Sequence, residues 1–577
     1  MGGGGAASLA ATHSIKNGAD TVLVSKGGLG KSGATVLAEA GIQMDGDSAC
    51  KMGFSGNSRL TKEKLFREII IEGFYLNNQR LVQIWTEKAP SRIAELLEYG
   101  LKADFHPPGN LHTTGSELAR ACAEGARMHN VDVIEDTMVV DILVSDGRAV
   151  GALGIEVVTG ELIIFKTRAV VLATGGWHQA YPFTSGTKEL TGDGLAMAYR
   201  AGTELSNMEM VTFCPNTILW PKIHRGSIFG YVASFVVDAK MLNNEGEDIM
   251  LDYDPRISEI AATTEFNKNI WSIACARTIN AEGGSPHGGV YWSVKHLPSS
   301  IFEDALVKRF PNRRWQGEDF SDLIEILKHG KPIEVAPAAH YFEGGIRMNE
   351  RCETQIPGLF VAGECGSGMF GANRVCDATT EMVVFGGIAG EVAAEYVKKS
   401  KVRRIDKHQI KTIEDRIFEP LNRRDGIKPV TIIRRIQEIA NKHVGIIREN
   451  NGLRRAIEEI EQIQIKEIPK LFVSDSGRFY NKEWIESIEV RNLIICLEAS
   501  ARAALIREES RGLHYRKDCP EMDHDRWLRE VVVSESSGGM TCSTRPVTVT
   551  KMSLPTGTET WEEYIIRSVP VLKQLSE

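Results

Sequence analysis

Three small residues at the start of the chain, Gly2, Gly4 and Ala7, have the spacing G-x-G-x-x-G/A of a turn that binds the pyrophosphate of a dinucleotide. In such a turn the first glycine makes the bend, the second lets the phosphates approach the backbone, and the third small residue lets a helix pack on a strand. The amides at the start of the helix then face the anion. A glycine run at a chain start is equally typical of a linker, and only Met1 stands where a buried strand should precede the turn. The pattern therefore predicts a dinucleotide site only if the rest of the chain supports it.

A second glycine-rich loop, Lys26–Thr35, contains Gly30-Lys31-Ser32, so a Walker A loop has to be considered. The pattern G-x-x-x-x-G-K-[ST] requires a glycine five positions before its second glycine, and Ser25 stands there. The loop is therefore not predicted to bind a nucleoside triphosphate.

The composition limits the class of protein. The 577 residues are enough for about two to four domains. The net charge of −8 does not indicate a protein that binds nucleic acid, which would typically be basic. No stretch reaches about 18 apolar residues and no signal peptide is recognisable, so no direct membrane span is expected. The ten cysteines are scattered without a C-x-x-C pair, so neither an iron–sulfur cluster nor another metal site is expected from this chain alone. A reduced, cytoplasmic setting is the simplest expectation.

The hydrophobic pattern alternates between helices and strands. Ala6–Lys16 is an alanine-rich helix and Thr21–Ser25 is typical of a short buried parallel strand, which together make the second half of a β-α-β unit. The other predicted segments are a helical region over 60–125, a β-meander over 131–165, a buried strand over 169–173, an irregular region over 216–339, a strand, turn and helix over 358–390, a helical region over 405–509, and strands over 530–533 and 546–549.

Several longer motifs occur together and in a fixed order: Val171–Gly176, Thr191–Gly194, Met208–Phe213, Pro357–Glu364, Gly371–Arg374 and Glu508–His514. With the N-terminal glycine turn, this set resembles the flavoprotein subunit family of succinate dehydrogenase, fumarate reductase and L-aspartate oxidase over essentially the whole chain. The resemblance implies an α/β fold, with a Rossmann-like FAD-binding domain, an inserted α+β capping domain and a C-terminal helical domain. The implied boundaries are 1–215 and 340–400 for FAD binding, 216–339 for the capping domain, and 401–577 for the helical domain with short terminal strands. The first β-strand is then missing at the N-terminus, so we expect the natural chain to start upstream.

The same resemblance implies FAD as the cofactor. Glu364, an acid after a strand, would hold the ribityl chain, Asp193 would lie against the FAD, and the helix beginning near Thr379 and Thr380 would point its amide end at the N1–C2 oxygen side of the flavin. Family members that bind FAD covalently carry a histidine where this chain reads Ser32-Gly33-Ala34, so non-covalent FAD is predicted, which leans toward a reductase or oxidase. The predicted cofactor residues are Gly2, Gly4, Ala7, Ser25, Lys26, Ser32, Gly33, Ala34, Thr35, Gly175, Asp193, Glu364, Arg374, Thr379 and Thr380.

For the substrate, the resemblance implies a set of residues that clamp a C4 dicarboxylate. This chain has about half of that set. Arg374 and His340 match clamp residues of the family. Cys214 stands where the family has a histidine, and the alignment puts Ser272 where the proton-donating arginine is expected. Loss of a positioned general acid costs about 10²–10⁴-fold in rate. The candidate replacements are Arg225, His224 and Arg277. Because charged side chains mostly lie on the surface, structural roles for these three stay open.

Two hypotheses for function follow. In the first, the chain is an FAD-dependent oxidoreductase that transfers hydride between flavin N5 and an organic acid, such as a dicarboxylate, anchored by Arg374 and His340. Electrons would pass through a separate iron–sulfur subunit, since this chain has no cluster motif, whereas direct use of oxygen or fumarate, as in L-aspartate oxidase, needs no partner. In the second, the chain is a non-catalytic flavoprotein that serves as an electron relay or scaffold. The expected location is cytoplasmic, with membrane association only through partner subunits.

Overall fold

The computed structural model describes residues 1–106, 110–263, 265–315, 317–374 and 378–576. Helices of the first part of the chain are α1 (Gly5–Lys16), α2 (Ala34–Leu37), α3 (Gly46–Lys51), α4 (Lys62–Glu72), α5 (Gln79–Glu98), α6 (Gly115–Met128) and α7 (Asp193–Arg200). Its strands are β1 (Val22–Val24), β2 (Glu39–Gln43), β3 (Asp104–His106), β4 (Asn110–Thr114), β5 (Asp132–Ile134), β6 (Thr137–Ser145), β7 (Arg148–Glu156), β8 (Leu162–Lys166), β9 (Val170–Leu172), β10 (Leu205–Ser206) and β11 (Val211–Trp220).

The middle of the chain, which the sequence pattern left irregular, contains regular elements. Its helices are α8 (Phe229–Ala233), α9 (Pro255–Thr263), α10 (Asn267–Asn280), α11 (Ser299–Arg309) and α12 (Ser321–Lys328). Its strands are β12 (Lys240–Leu242), β13 (Val290–Ser293), β14 (Arg314–Trp315), β15 (Glu318–Asp319) and β16 (Ile333–Phe342). Four strands form one sheet in the order β11-β16-β13-β12. The predicted domain boundaries after residues 215 and 339 fall inside β11 and β16, so this sheet joins the capping region to the rest of the chain.

The remaining elements return to the first part of the fold and then become mostly helical. Strands β17 (Gly345–Ile346) and β18 (Leu359–Val361) precede α13 (Ala378–Lys399). The C-terminal helices are α14 (Lys407–Phe418), α15 (Pro429–His443), α16 (Asn450–Gln462), α17 (Lys482–Ile506), α18 (His524–Trp527) and α19 (Trp561–Ser576). The C-terminal strands are β19 (Ile447–Arg448), β20 (Tyr515–Arg516), β21 (Glu521–Asp523), β22 (Arg529–Ser536), β23 (Gly539–Pro546) and β24 (Thr558–Thr560). The predicted α/β fold class is confirmed, although β23 ends at Pro546, the first residue of the strand expected over 546–549.

Parallel pairing identifies the dinucleotide-binding sheet. Strand β1 pairs with β5, and β9 pairs with β18, both in parallel. The first residues of the chain lie between these two pairs: the Met1 nitrogen donates to the Val171 carbonyl at 2.8 Å, the Ala173 N–H donates to the Met1 carbonyl at 2.9 Å, and the Gly2 N–H donates to the Val24 carbonyl at 2.9 Å. Although the described residues form no strand before α1, Met1 and Gly2 bond to both halves of the sheet.

Pairing corrects two details of the sequence interpretation. The predicted meander is three-stranded, in the order β6-β7-β8, because β5 pairs with β1 instead. The region over 60–125 is helical in α4, α5 and α6 but also contains β3 and β4, which join β2 in a sheet of order β2-β4-β3. Each difference includes a pairing between strands far apart in the chain, β1 with β5 and β2 with β4, which local periodicity does not show.

Helices α1 and α13 approach closely beneath the sheet because glycine faces alanine along their contact. A Cβ on Gly386 would lie 2.6 Å from the Ala6 carbonyl oxygen, and one on Gly390 would lie 2.1 Å from that of Ala10. Every residue of α1 from Gly5 to Ser14 is buried. Because its side chains are small, α1 can be buried against α13. Its first turn still reaches the cleft described below.

Candidate active site

One large cleft opens at the carboxyl ends of β1, β5, β9 and β18, where dinucleotide-binding folds hold their ligands. It encloses about 1490 Å³ of empty space, its solvent-open mouth included. Among the predicted site residues, those that line it are Gly2, Gly4, Ser25, Lys26, Ser32, Gly33, Ala34, Thr35, Gly175, Asp193, His340, Glu364, Arg374 and Thr379. Those that do not line it are Ala7, Thr380, Arg225 and Arg277.

The glycine turn forms the floor of the cleft. Gly2 has φ +117°, and a Cβ there would lie 2.1 Å from the Ala173 carbonyl oxygen. A Cβ on Gly3 would lie 2.3 Å from Ser25 Oγ, so a larger residue there would require the Ser25 hydroxyl to move. The Gly5 N–H donates to Thr35 Oγ1 at 3.1 Å, which fixes the start of α1 against the second glycine-rich loop. First-turn amides lack partners inside their helix and favour anions, so this backbone cradle fits the pyrophosphate of FAD.

The start of α13 forms another wall. Thr379 donates from Oγ1 to the Gly41 carbonyl, and Thr380 exchanges hydrogen bonds with the backbone of Gln43, whose N–H donates to Thr380 Oγ1 at 2.8 Å. These bonds attach the first turn of α13 to β2. Thr379 lines the cleft while Thr380 is fully buried behind it. The partial positive charge at the start of a helix stabilises negative charge nearby. The sequence prediction assigns this role to α13, at the N1–C2 oxygen side of the flavin.

Two acidic residues of the predicted cofactor set are held by different partners. Glu364 accepts hydrogen bonds from the backbone N–H groups of Gly176 at 3.0 Å and Phe342 at 3.3 Å. Burial raises the pKa of Glu364 to about 8. Asp193 instead pairs with Lys26, whose Nζ lies 3.0 Å from Asp193 Oδ2 and 2.5 Å from Glu489 Oε1. The charge of Lys26 is therefore matched by two carboxylates inside the protein.

His340 and Arg374 lie together at the other end of the cleft. His340 Nδ1 shares a hydrogen bond of 2.7 Å with Ser185 Oγ. Burial, with the positive charges of Arg374 and Lys268, holds the pKa of His340 well below its usual range, so its imidazole is neutral at physiological pH. The Arg374 guanidinium lies 5.7 Å from the centre of the Tyr341 ring. A guanidinium beside a neutral imidazole is a donor set that suits a carboxylate.

The C-terminal domain holds the loop that carries Arg374. The Leu513 N–H donates to the Ala372 carbonyl at 2.8 Å, and the Ala372 N–H donates to the Gly73 carbonyl at 3.1 Å. Gly512 has φ +53°, and a Cβ there would lie 2.0 Å from the Ala372 carbonyl oxygen. The late motif Glu508–His514 therefore packs directly on the loop Gly371–Arg374, called the clamp loop below. About 140 residues separate the two segments in sequence.

The candidate proton donors named from the sequence lie elsewhere. Arg225 is exposed and stacks on the Phe183 ring at 4.6 Å. His224 is bound between Glu318 at 2.5 Å and Asp322 at 2.9 Å. Arg277 is exposed and donates to the Tyr515 hydroxyl at 2.7 Å. The structure does not bring these side chains into the cleft.

The two residues that replace expected family side chains are buried. Burial raises the pKa of the Cys214 thiol to about 12, which keeps it protonated. The Ser272 hydroxyl donates to the Phe213 carbonyl at 3.1 Å, so it is bound within the fold. Within the described ranges no group of three or more metal-ligating side chains occurs. The same residues contain no helix that is long and apolar enough to cross a membrane.

Sequence reasoning missed Lys268, in the first turn of α10. Its side chain is 4% exposed, its ammonium pairs with Glu265, and Nζ donates to the Arg374 carbonyl at 3.4 Å. The sequence prediction considered only two arginines and a histidine as the proton donor. Lys268 is a cation one helical turn before Ser272, and that spacing is the signal that identifies it.

A backbone cradle for a dinucleotide beside a buried arginine and histidine defines the class of flavin-dependent oxidoreductases. The family profile described as "FAD binding domain" matches residues 1–379, and the profile "Fumarate reductase flavoprotein C-term" matches residues 433–561. The chain therefore belongs to the flavoprotein family of fumarate reductase and succinate dehydrogenase.

Individual relatives extend over almost the whole chain. A fumarate reductase (CoM/CoB) subunit of Methanothermobacter marburgensis is 33% identical over 92% of this chain and 96% of its own length. Chloroplastic L-aspartate oxidase of Arabidopsis thaliana is 29% identical over 84% of this chain and 77% of its own length. The structure of Mycobacterium smegmatis Sdh1 in complex with UQ1 superimposes with a TM-score of 0.84 at 29% identity, covering 96% of this chain and 94% of that one. FAD as cofactor and the class of FAD-dependent oxidoreductase are confirmed, and the non-catalytic alternative is not favoured.

Proposed function

We propose that this flavoprotein transfers hydride between FAD and an organic acid whose carbon–carbon bond is reduced or oxidised. The observation that carries the proposal is the pair formed by Arg374 and the neutral imidazole of His340 at the end of the cleft opposite the glycine turn. FAD supplies hydride transfer at N5 when it is bound. The residues of this chain would bind the acid: Arg374 takes a carboxylate through its planar fork, and His340, oriented by Ser185, donates a further hydrogen bond.

Names of relatives support the kind of substrate. The Methanothermobacter marburgensis relative belongs to a fumarate reductase, and the Arabidopsis thaliana relative is an L-aspartate oxidase. Both named substrates are C4 dicarboxylic acids. We therefore propose a dicarboxylate or a related enoate for this chain, with a separate iron–sulfur subunit to supply or accept the electrons.

Flavin reoxidation tests the proposal directly. The FAD-loaded protein is reduced anaerobically and mixed with fumarate and then with a panel of other enoates, while flavin absorbance is followed. Rapid reoxidation by one member of the panel is expected, with formation of the saturated acid. Indifference to every enoate, together with no reduction of oxidised flavin by succinate or L-aspartate, would contradict the proposal.

Two further measurements resolve the manner of FAD binding and the electron acceptor. Intact mass of the denatured protein should show no added flavin, since Ser32, Gly33 and Ala34 offer no ring nitrogen for a covalent bond. Hydrogen peroxide produced in air with L-aspartate would indicate direct use of oxygen, as in the aspartate oxidases. Its absence, with turnover restored by a reduced iron–sulfur protein, would support the separate electron-transfer subunit.

A further inference from the structure

A lysine ammonium is buried directly beside the clamp arginine. Lys268 lies in the first turn of α10, and its side chain is 4% exposed. Its ammonium is bound by the Glu265 carboxylate and donates to the Arg374 carbonyl at 3.4 Å. It also lies 5.9 Å from the centre of the Tyr231 ring. Lysine is almost never this buried unless it is paired, so this position is costly and specific.

The surroundings of Lys268 concentrate titratable groups from several elements. Those that face it are Glu265 before α10, Glu72 at the end of α4, Arg374 in the clamp loop, His340 on β16, Cys214 on β11 and Tyr231 on α8. The Asn373 side-chain amide donates to the backbone carbonyls of Glu72 at 3.3 Å and Glu265 at 3.5 Å. The clamp loop is thus bonded to both segments that carry these acids.

Exposure differs sharply across the ion pair. The Glu265 side chain is 40% exposed, whereas that of Lys268 is 4% exposed. The carboxylate is therefore in contact with solvent while the ammonium is held inside, next to Arg374. A purely structural ion pair would gain little from this arrangement, since burying one charge costs free energy that a half-exposed partner only partly offsets.

We propose that Lys268 is the general acid of the reaction, with Glu265 as a positioning residue that orients the ammonium and connects it to solvent. The inference rests on the proposed function. When an enoate is reduced, one carbon of the double bond gains the hydride that FAD supplies and the other gains a proton from Lys268 Nζ. The carbon–carbon π bond is lost, two C–H bonds form, and the flavin is oxidised by two electrons. Lys268 is left as a neutral amine and regains its proton from water at Glu265.

Replacement of Lys268 separates this role from cofactor binding. Lys268→Met should lower the rate of enoate-dependent flavin reoxidation by about 10²–10⁴-fold. It should leave reoxidation by ferricyanide unchanged, because that acceptor takes electrons without a proton on carbon. Lys268→Arg should keep more activity and move the alkaline limb of the pH–rate profile upward, since a guanidinium loses its proton at higher pH. Lys328→Met, a half-exposed lysine in the same region, is the matched control.

Glu265→Gln tests the positioning role. The ammonium would lose the carboxylate that orients it, so the rate of enoate-dependent reoxidation should fall while reoxidation by ferricyanide is unchanged, and Glu265→Asp should restore part of the rate. An unchanged rate in Glu265→Gln, or a Lys268→Met rate within about threefold of wild type, would overturn the inference.

Binding of an unreactive acid keeps the inference separable from the proposed function. Malonate is titrated into the FAD-loaded wild type and Lys268→Met, and its dissociation constant is read from the change in flavin absorbance. Weaker binding by Lys268→Met, with no change in Lys328→Met, would support contact between the ammonium and a bound acid even if no tested enoate turns over. Equal affinity in wild type and Lys268→Met would place the ammonium away from the bound acid and overturn the proposed role.

Discussion

The two ends of the cleft are built from different materials. At the cofactor end, the cradle is made of backbone groups and small residues, namely the glycine turn and the first turns of α1 and α13, with the acidic side chains of Glu364 and Asp193 beside it. At the substrate end, Arg374 and His340 line the cleft with their side chains, and the ion pair of Lys268 with the partly exposed Glu265 lies next to the Arg374 backbone. Backbone geometry depends on local glycine spacing, whereas a charge can be supplied to the same point from several elements. The cofactor end is therefore constrained by sequence motifs, and the substrate end can vary.

Removal of the clamp guanidinium should produce the largest effect and be confined to the substrate end. Loss of one partner from a buried charge pair, here the pair that Arg374 would form with the carboxylate of the acid, costs about 2–5 kcal/mol, so Arg374→Met should reduce enoate-dependent reoxidation by about 30- to 5000-fold. Arg374 is also one of the predicted cofactor residues, so the FAD content of the purified protein decides between two roles: it should not change if the guanidinium serves the acid alone. Arg351→Met, at an exposed arginine paired with Glu395, serves as control. Parallel loss of FAD from Arg374→Met would show that the two ends are not independent.

The same division explains what could be predicted from the sequence. Gly2 and Gly4 were found because a phosphate turn has a short local signature, and both line the cleft. Strand β5 was assigned to the meander because its parallel partner β1 lies about 110 residues earlier, which a local pattern cannot reveal.

The proposed proton donor, Lys268, was missed for a reason of helix geometry. Ser272 lies one turn after Lys268 and therefore on the same face of α10, so the alignment and the proposal point to the same face, one turn apart. Arg277 is nine residues after Lys268, which rotates it by about 180° to the opposite face. The search for an arginine also excluded the lysine that the fold brings to Arg374.

A glycine substitution in the N-terminal turn tests the cofactor end, where a loss of FAD affinity is expected. Gly2→Ala combines φ +117° with a Cβ 2.1 Å from a carbonyl oxygen, so we expect a loss of FAD affinity of about 10–100-fold from strain and displacement of the turn. Gly18→Ala is a matched control, since Gly18 also has positive φ, +79°, but nothing lies within 4 Å of its Cβ. Affinity is measured by fluorescence quenching as FAD titrates the stripped protein. Equal losses in both variants would mean that φ alone, and not the contact with Ala173, limits the turn.

Buried acids near the substrate end should make stability depend on pH. Glu343 accepts a hydrogen bond from Thr212 Oγ1 at 2.5 Å, and burial raises its pKa to about 8. Between pH 6.5 and 8 the folded state holds a proton that the unfolded state has lost, so the free energy of unfolding falls as pH rises, by at most about 1.4 kcal/mol per pH unit for this group. Histidines of the unfolded chain titrate near pH 6.5, so buried histidines oppose this slope mainly at the lower end of the window.

Urea unfolding of wild type and Glu343→Gln at four pH values in this window measures the slope. The variant should lose stability less steeply, and some slope should persist because burial also raises the pKa of Glu364 and Glu381 to about 8. Identical slopes would mean that Glu343 is ionised in the folded protein.

The smallest expected effect lies at the junction of the two ends. Arg309, at the end of α11 in the capping region, forms an ion pair with Glu39, which lines the cleft. Both side chains are about a quarter exposed, so the pair should contribute only about 0.5–1 kcal/mol and be weakened by salt. Arg309→Gln should raise the KM for the acid by about two- to fivefold at low salt, with little change near 0.5 M salt, because the capping region would close less often over the cleft. Lys308→Gln removes a neighbouring exposed cation that pairs within α11 and should leave KM unchanged. An equal change of KM in both variants would mean that general surface charge explains the effect. If KM changes only in Arg309→Gln and the change disappears with salt, the contact with Glu39 couples the capping region to the cleft.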